Sequence, residues 1–207
     1  ALFDTKYSNL SVVKSTPAGR DLIGPYCEAM KEAGIKVGLY FTHTDWSDDE
    51  MMAVVCDMTL DEVRAARTQK FCFSKRWNEV MARPIEEVDQ SPERKRYWEK
   101  FLTFYFNQLN EVVNTFAPFD VFWGDAMYEV QGYDWHKDQI REIIKKANPD
   151  TIISRVPGFD DIATPEVRAV CSRPSKGPWE YCTPINASWG YRPSDHNYKS
   201  YIQVIRI

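Results

Sequence analysis

The sequence predicts an α/β fold in which helices cover a parallel sheet, and more specifically an incomplete (β/α)8 TIM-barrel-like domain. A helical segment, a short turn and a buried strand follow one another three times along the chain, as in parallel sheets with outer helices. Polar or aromatic residues follow each strand, and barrels gather such residues at the carboxyl ends of their strands. A complete barrel needs eight strands and typically about 250 residues. We therefore expect the 207 residues to form a single domain, residues 1–207, that lacks barrel strands at both ends.

The composition is that of an ordinary globular domain and argues against several classes of partner. Hydrophobic residues make up 43% of the chain and charged residues 27%, and the net charge of −4 is spread without a basic patch or an acidic tail. No apolar run reaches membrane-spanning length, and no signal peptide pattern is present. We therefore expect no nucleic-acid and no membrane partner, while the oligomeric state stays open.

Metal ligands are not evident in the sequence. The five cysteines lack the CxxC spacing that is typical of zinc sites, and their odd number leaves at least one free thiol if the others pair. No histidine forms a metal-ligand pattern with carboxylates, and His136 and His196 are expected at the surface. The sequence therefore predicts no metal site.

The first helix is expected to begin at Thr16-Pro17, which are typical of an N-cap and a first helical position. Apolar residues at helical spacing follow up to Gly34, which is expected to end the helix in a left-handed conformation. Pro25 is expected to bend or interrupt this helix. The strand Ile35–Phe41 comes next and ends in a polar and aromatic loop.

Residues 47–90 interrupt the alternation, and we interpret them as a loop and helical insertion. Thr59 and Glu62 form a capping-box pattern, which predicts a short helix over about residues 60–70. The remaining residues are highly charged and show no clear period, so we expect a loop there. Long loops of this kind are usually functional or mobile.

The second helix and strand give the clearest pattern in the chain. Ser91 and Pro92 are typical of a helix start, and one apolar stripe at i, i+3 and i+4 spacing follows them. The stripe consists of Tyr97, Trp98, Phe101, Phe104, Tyr105, Leu109, Val112, Val113 and Phe116. The apolar strand 119–123 is expected to be buried on both faces, as in a parallel sheet. Asp125 stands where this strand ends.

Asp125 is the first candidate functional residue. Burying an ionised carboxylate without partners is costly, so we expect Asp125 to lie at the mouth of the strand or to be held by partners. Acids at strand ends lie on the face where barrels build their active sites. The alternative is that Asp125 caps the following loop or helix.

The third helix and strand lead to a conspicuous basic residue. Asp134 is expected to cap a helix that ends at Asn148-Pro149, after which the strand Thr151–Ser154 delivers Arg155. A further strand is a candidate over residues 181–185.

Six short motifs in one order resemble a known family. They are Ala-Leu-Phe-Asp-Thr-Lys-Tyr at 1–7, Gly-Leu-Tyr-Phe at 38–41 with Asp45-Trp46, Val-Phe-Trp-Gly-Asp at 121–125, Thr-Pro-Glu at 164–166, Pro-Trp-Glu-Tyr-Cys at 178–182, and Ser-Trp-Gly-Tyr at 188–191. Over most of its length the chain thus resembles the α-L-fucosidases of glycoside hydrolase family 29. The resemblance implies a catalytic barrel that removes terminal α-L-fucose from fucosylated oligosaccharides or glycoconjugates by a retaining mechanism, without a cofactor.

The resemblance also implies roles for individual residues. Asp125 matches the catalytic nucleophile and Glu166 the general acid/base. Tyr40, Trp123 and Arg155 fall on positions that line the fucose pocket.

Further residues are candidates for contacts with the sugar, each with an alternative. His43 either contacts sugar hydroxyls or caps its loop, and Trp46 belongs to the same loop motif. Glu180 is a rival acid/base and is otherwise a buried anchor or a sugar ligand. The alternatives for Glu166 and Arg155 are a solvated loop acid and a plain ion-pair partner.

The implied chemistry needs two carboxyl groups with opposite duties. In a retaining glycosidase one attacks the anomeric carbon, the other protonates the leaving oxygen, and the two lie roughly 5–5.5 Å apart. Asp125 and Glu166 are distant in sequence, so only the fold can bring them together. Donors such as Arg155 or an indole N–H are expected beside Asp125 because they stabilise its charge, whereas Glu166 is expected to hold its proton near neutral pH.

Parts of the family pattern fall outside the chain. The histidine pair that grips the sugar hydroxyls would precede Ala1, and the last barrel strand would follow Ile207, so we interpret the chain as an interior part of a barrel. The resemblance implies a periplasmic, extracellular or lysosomal compartment. The alternatives are a non-catalytic glycan-binding relative, a barrel glycosidase that acts on another sugar, and a folding fragment.

Overall fold

The computed structural model describes residues 1–69, 73–127, 130–166 and 177–205. Within these ranges the chain forms three strands, eight α-helices and one short 3-10 helix at Ile85–Glu87. In chain order the elements are α1 (Val12–Ser15), α2 (Ile23–Glu32), β1 (Gly38–Thr42), α3 (Asp49–Cys56), α4 (Leu60–Thr68), α5 (Phe73–Met81), α6 (Pro92–Phe116), β2 (Val121–Asp125), α7 (Lys137–Ala147), β3 (Ile152–Ser154) and α8 (Tyr201–Ile205).

The three strands form one parallel sheet in the order β1-β2-β3. The register places Tyr40, Trp123 and Ser154 in one row across the sheet, and Thr42 opposite Asp125. Helices α3 to α6 connect β1 to β2 and α7 connects β2 to β3, which are the crossovers that parallel pairing requires. The predicted α/β class is therefore confirmed, while closure of the strands into a barrel stays a prediction.

The sheet differs on its two faces. Leu39, Phe122 and Ile153 are buried against the helices, whereas Tyr40 on the other face is 61% exposed. Successive side chains of a strand point to opposite faces, so this alternation follows from the strand geometry. The prediction that β2 is buried on both faces is wrong for the described residues, because its second face is only partly covered.

Helix α6 is the largest contributor to the core, as its apolar stripe predicts. Ser91 accepts a hydrogen bond from the N–H of Arg94, and Pro92 occupies the first helical position. The stripe is buried apart from Phe104, which is partly buried. The helix contacts α2, α3 and α7, and its stripe therefore organises the helical layer behind the sheet.

The helix predicted to begin at Thr16-Pro17 corresponds to α2, which begins later than the sequence indicates. Helix α2 begins at Ile23, and the carboxylate of Asp21 accepts hydrogen bonds from the first N–H groups of the helix. Thr16 instead ends the short helix α1. Pro25 lies in the first turn of α2, where a backbone N–H needs no helical partner, and the helix continues without interruption to Glu32. Gly34 has the predicted left-handed conformation, with a φ of +69°.

The insertion at 47–90 is mainly helical. Helix α4 carries the predicted capping box, in which Thr59 and Glu62 bond to each other's backbone N–H groups. The expected loop on its amino-terminal side is instead helix α3, whose residues Met51–Cys56 are all buried. The short apolar run was too brief to show a helical period, and its burial comes from contact with α6. Helix α5 likewise forms where the sequence predicted a loop.

The start of α7 and the candidate fourth strand also differ from the predictions. Asp134 accepts a hydrogen bond from the N–H of His136, so it lies before the helix and does not cap it. No strand forms over residues 181–185. In the described part of this region, Trp179 forms an isolated β-bridge with Ala163, and Cys182 forms one with Glu166.

Asp161 joins the third helix to the third strand. Its carboxylate pairs with Arg141 at 2.6 Å and with Lys145 at 2.8 Å, both on α7. It also accepts a hydrogen bond from the N–H of Ile153 in β3. Burial disfavours the charge of Asp161, but these cationic and N–H donors outweigh it and lower the pKa to about 2. The ionised carboxylate therefore stabilises the packing of α7 against β3.

The stability of the protein is expected to depend on Asp161 in acid. The folded pKa lies below the ordinary 3.8, so the stabilisation is complete above about pH 4 and is lost as the pH falls towards about 2. The shift is equivalent to about 2 kcal/mol. We expect Asp161→Asn to lower the free energy of unfolding by about this amount at neutral pH, as measured by urea denaturation. Asp150→Asn, at an exposed turn, is the control, and a pH-independent deficit for Asp161→Asn would contradict the assignment.

Membrane-spanning helices and metal clusters are absent from the described residues. No helix there combines the length and the apolar character that crossing a membrane would require, and no cluster of His, Cys, Asp or Glu side chains there could hold a metal ion. Cys27 and Cys182 are free thiols, whereas Cys72 and Cys171 lie outside the described ranges.

Candidate active site

The carboxyl ends of the three strands bring four candidate residues together. Tyr40 comes from β1, Trp123 and Asp125 come from β2, and Arg155 follows β3 directly. Parallel strands end at the same edge of the sheet, and alternate residues share a face, so Tyr40 and Trp123 are neighbours in the register. This edge of the sheet is the one at which the sequence places the site.

Asp125 is held by side chains of both neighbouring strands. The hydroxyl of Tyr40 donates to Oδ2 at 2.5 Å, and Nη2 of Arg155 donates to Oδ1 at 2.7 Å. Partial desolvation of the Tyr40 hydroxyl and its bond to Asp125 raise the pKa of Tyr40 to about 12, so the phenol remains a donor. Both carboxylate oxygens of Asp125 are thus bound by side chains from neighbouring strands.

Arg155 connects the two candidate catalytic acids. Its Nη1 donates to Oε1 of Glu166 at 2.6 Å while Nη2 holds Asp125. The guanidinium lies over the Trp123 ring, 4.6 Å from the centroid, and its side chain is 9% exposed. Two ion pairs and a cation–π contact make Arg155 more than a plain ion-pair partner.

The backbone of Arg155 is in a rarely populated conformation. Its φ of +61° lies in the left-handed region, which a residue with a side chain adopts at a cost of order 1–3 kcal/mol. Such outliers persist where the surroundings over-determine them, and they cluster at functional sites. The strained turn directs the guanidinium back across the end of the sheet towards Asp125.

One carboxylate oxygen of Glu180 meets three polar groups, one of which is the indole N–H of Trp123. Nε1 of Trp123 donates to Oε1 of Glu180 at 2.5 Å. The hydroxyls of Ser154 and Thr164 lie 3.0 Å and 2.8 Å from the same oxygen. Glu180 therefore holds the indole N–H of Trp123, and its role as a catalytic acid or a sugar ligand stays a prediction.

An aromatic platform, formed by Tyr40 and Trp123, borders the charged groups. Their rings are stacked, with centroids 5.3 Å apart and an interplanar angle of 22°. A cleft of about 300 Å³ borders Arg155 and Glu166. It is lined by Ala126, Arg155, Pro157, Asp160, Thr164 and Glu166. The site therefore offers an apolar surface next to two carboxylates, which suits a sugar ring with an attached leaving group.

Two candidate residues lie apart from this cluster. His43 is 1% exposed and lies in the core behind the sheet, where its Nδ1 is 2.7 Å from the hydroxyl of Tyr105. Trp46 is 37% exposed, and its carbonyl accepts a hydrogen bond from Arg67. Neither contacts Asp125 or Glu166 through its side chain within the described part of the chain.

Two polar residues of the site were not expected from the sequence. Ser154 ends β3 and reaches Glu180, and Thr164 does so from the segment that precedes Glu166. The signal for Ser154 was its polar character at the end of an otherwise apolar strand. Thr164 stood out only as part of a motif.

The chain matches a protein family but no curated protein. The family described as alpha-L-fucosidase matches residues 1–207, the whole chain. No curated protein matches the chain significantly.

Solved fucosidases share the fold of the chain. Alpha-L-fucosidase AlfC from Lactobacillus casei, in complex with alpha-L-fucose product, is 23% identical with a TM-score of 0.64, and the match covers 100% of this chain and 59% of that chain. Alpha-L-fucosidase isoenzyme 1 from Paenibacillus thiaminolyticus is 25% identical with a TM-score of 0.66, covering 99% and 47%. A bacterial fucosidase with a monovalent iminocyclitol inhibitor is 22% identical with a TM-score of 0.69, covering 99% and 44%. The chain thus spans between 44% and 59% of the length of these three proteins.

Proposed function

The chain belongs to the α-L-fucosidase family, and we propose that the complete protein is a retaining exo-α-L-fucosidase. The observation that carries the proposal is the pair of acids, Asp125 and Glu166, held by one guanidinium at the carboxyl ends of parallel strands. We also propose that the three strands belong to a single-domain (β/α)8 barrel, because barrel enzymes build their sites at this edge.

Asp125 is the proposed nucleophile. One of its oxygens attacks the anomeric carbon of fucose as the bond to the leaving oxygen breaks, which forms a covalent glycosyl ester. The donors from Tyr40 and Arg155 stabilise the carboxylate and fix its direction. Water then cleaves the ester, so two inversions give overall retention.

Glu166 is the proposed general acid/base. It protonates the leaving oxygen in the first step and takes a proton from the attacking water in the second. Its side chain is 38% exposed, compared with 25% for Asp125, so a leaving group can reach it from the cleft. Both acids bind neighbouring nitrogens of Arg155, which is compatible with the roughly 5–5.5 Å separation that retention requires.

Glu180 fits the acid/base role less well than Glu166. Its Oε1 already meets the indole N–H and two hydroxyls, and it makes no ion pair with Arg155 within the described residues. We therefore assign Glu180 to the support of Trp123, whose ring forms half of the aromatic platform.

The proposed substrates are terminal α-L-fucosides of oligosaccharides or glycoconjugates. An aspartate-to-alanine mutant of the similar protein AlfC has been solved in complex with Fuca(1,6)GlcNAc and with 4-nitrophenyl-a-L-fucopyranoside. By analogy, the stacked rings of Tyr40 and Trp123 would pack against the apolar side of the sugar, as aromatic side chains offer large apolar faces. No cofactor is needed, because both proton transfers and the attack use carboxyl groups.

A panel of 4-nitrophenyl glycosides tests the proposal directly. We expect the complete protein to cleave the α-L-fucoside in preference to galactosides, and the first product observed by NMR to be the α-anomer of fucose. Release of the β-anomer would contradict retention. Preferred cleavage of a galactoside would indicate a glycosidase for another sugar, and glycan binding without any release would indicate a non-catalytic relative.

A further inference from the structure

His43 lies directly behind the proposed nucleophile. Its backbone N–H donates to the carbonyl of Asp125 at 2.8 Å, which continues the pairing of β1 with β2 beyond their last residues. Its ring lies against Gly124, where an added Cβ would overlap Nε2. His43 therefore contacts two consecutive residues at the end of β2, from the face opposite the cleft.

The ring of His43 is locked in place by an aromatic cage. Its Nδ1 is 2.7 Å from the hydroxyl of the buried Tyr105. The rings of Trp135 and Phe122 surround it, with centroids 5.8 Å and 6.3 Å away. In a close-packed interior such a ring has little freedom to move, so its contact with Gly124 is a rigid one.

His43 acts without a charge. Burial lowers its pKa to about 3, so the ring is neutral wherever the enzyme would be assayed. The backbone of Arg155 and the charge of Asp125 act on the pKa in the opposite direction but do not outweigh burial. Because His43 is 1% exposed, its ring is shielded from a bound substrate and does not serve as a sugar ligand.

We propose that His43 is a positioning residue, which fixes the main chain at Gly124 and Asp125 so that the Asp125 carboxylate is aimed at the anomeric carbon. The inference rests on the proposed role of Asp125 as nucleophile. Because successive residues of a strand point to opposite faces, a ring that supports Gly124 from behind sets the direction of the Asp125 side chain towards Tyr40 and Arg155. This role replaces the sugar contact that the sequence suggested for His43.

The first test is His43→Leu in the complete protein, which keeps apolar bulk but removes the flat ring and its bond to Tyr105. We expect the single-turnover rate of glycosyl transfer to Asp125 to fall on the order of 10- to 100-fold, since displacements of about 1 Å have effects of this size. Affinity for the fucoside should change little, because the aromatic platform is untouched. Phe116→Leu is the control: Phe116 is buried in the same core but packs against Phe3, so this variant should lose stability without a specific loss in this step.

A double-mutant cycle tests the contact with Gly124. Gly124→Ala alone should slow the first step strongly, because the methyl group meets the His43 ring. In a His43→Ala background the same change should slow it much less, since the space is then free. Additive effects would show that the ring does not act through Gly124 and would overturn the inference. Tyr105→Phe, a milder change that should preserve the fold, is expected to slow the same step severalfold.

The outcomes separate this inference from the proposed function. A wild-type protein that releases no fucose from any α-L-fucoside would overturn the proposed function and the inference with it. If the wild type is active and His43→Leu and Tyr105→Phe lower the melting temperature but keep the full first-step rate, the inference alone is wrong. A slowed first step with unchanged affinity in both variants would support it.

Discussion

Asp125→Asn is expected to remove nearly all turnover by the complete protein while leaving its fold intact. The amide has the shape of the carboxylate and still presents an oxygen to Tyr40 or Arg155, but it cannot form the glycosyl ester. Losing covalent catalysis should raise the barrier on the order of 5 kcal/mol or more, which is several orders of magnitude in rate. The measurement is kcat/KM for 4-nitrophenyl α-L-fucoside, with thermal melting as the check on folding.

The same strand provides a matched control for this variant. Asp120 lies just before β2, at the opposite end from Asp125, and it pairs with Lys36 and accepts a hydrogen bond from the N–H of Val37. Asp120→Asn should therefore cost some stability but keep most of the activity. If Asp125→Asn retained about a tenth of the wild-type rate, a loss of only about 1.4 kcal/mol, Asp125 would not be the nucleophile.

Glu166→Ala is expected to impair natural fucosides far more than activated aryl fucosides. A poor leaving group needs a proton in the transition state, whereas a nitrophenolate departs with little help. Azide should restore activity on the aryl substrate, because a small anion fits the space left by the carboxylate and needs no general base. The product should be the α-fucosyl azide, since azide opens the β-linked ester on Asp125 from the opposite face.

Glu180→Ala is the matched comparison for this experiment. Its carboxylate holds the indole of Trp123 through a hydrogen bond, so its loss should weaken fucoside affinity or stability and azide should have no effect. Azide rescue of Glu180→Ala, with none for Glu166→Ala, would exchange the two roles. Rescue of neither variant would argue against a covalent intermediate that azide can open.

Local signals in the sequence predicted the elements whose causes are local. The capping box at Thr59 and Glu62, the Ser91-Pro92 start and the stripe of α6 depend on residues within a few positions of each other, and each is found in the structure. Helix α3 was missed because its burial is decided by α6, which lies far along the chain. The late start of α2 was missed because Asp21 provides the cap from a position that no simple motif indicates.

The features of the site also separate into those that the sequence predicted and those that depend on the tertiary structure. The sequence by itself determined that an apolar strand ends in Asp125, that another delivers Arg155, and that Glu166 stands in a motif of its own, because the types and order of residues are written in the chain. Only the tertiary structure decided that one guanidinium joins both acids. It also decided that His43 lies behind the sheet. The physical reason is that strand register, side-chain direction and the strained turn at Arg155 arise from contacts between distant segments, which no local pattern encodes.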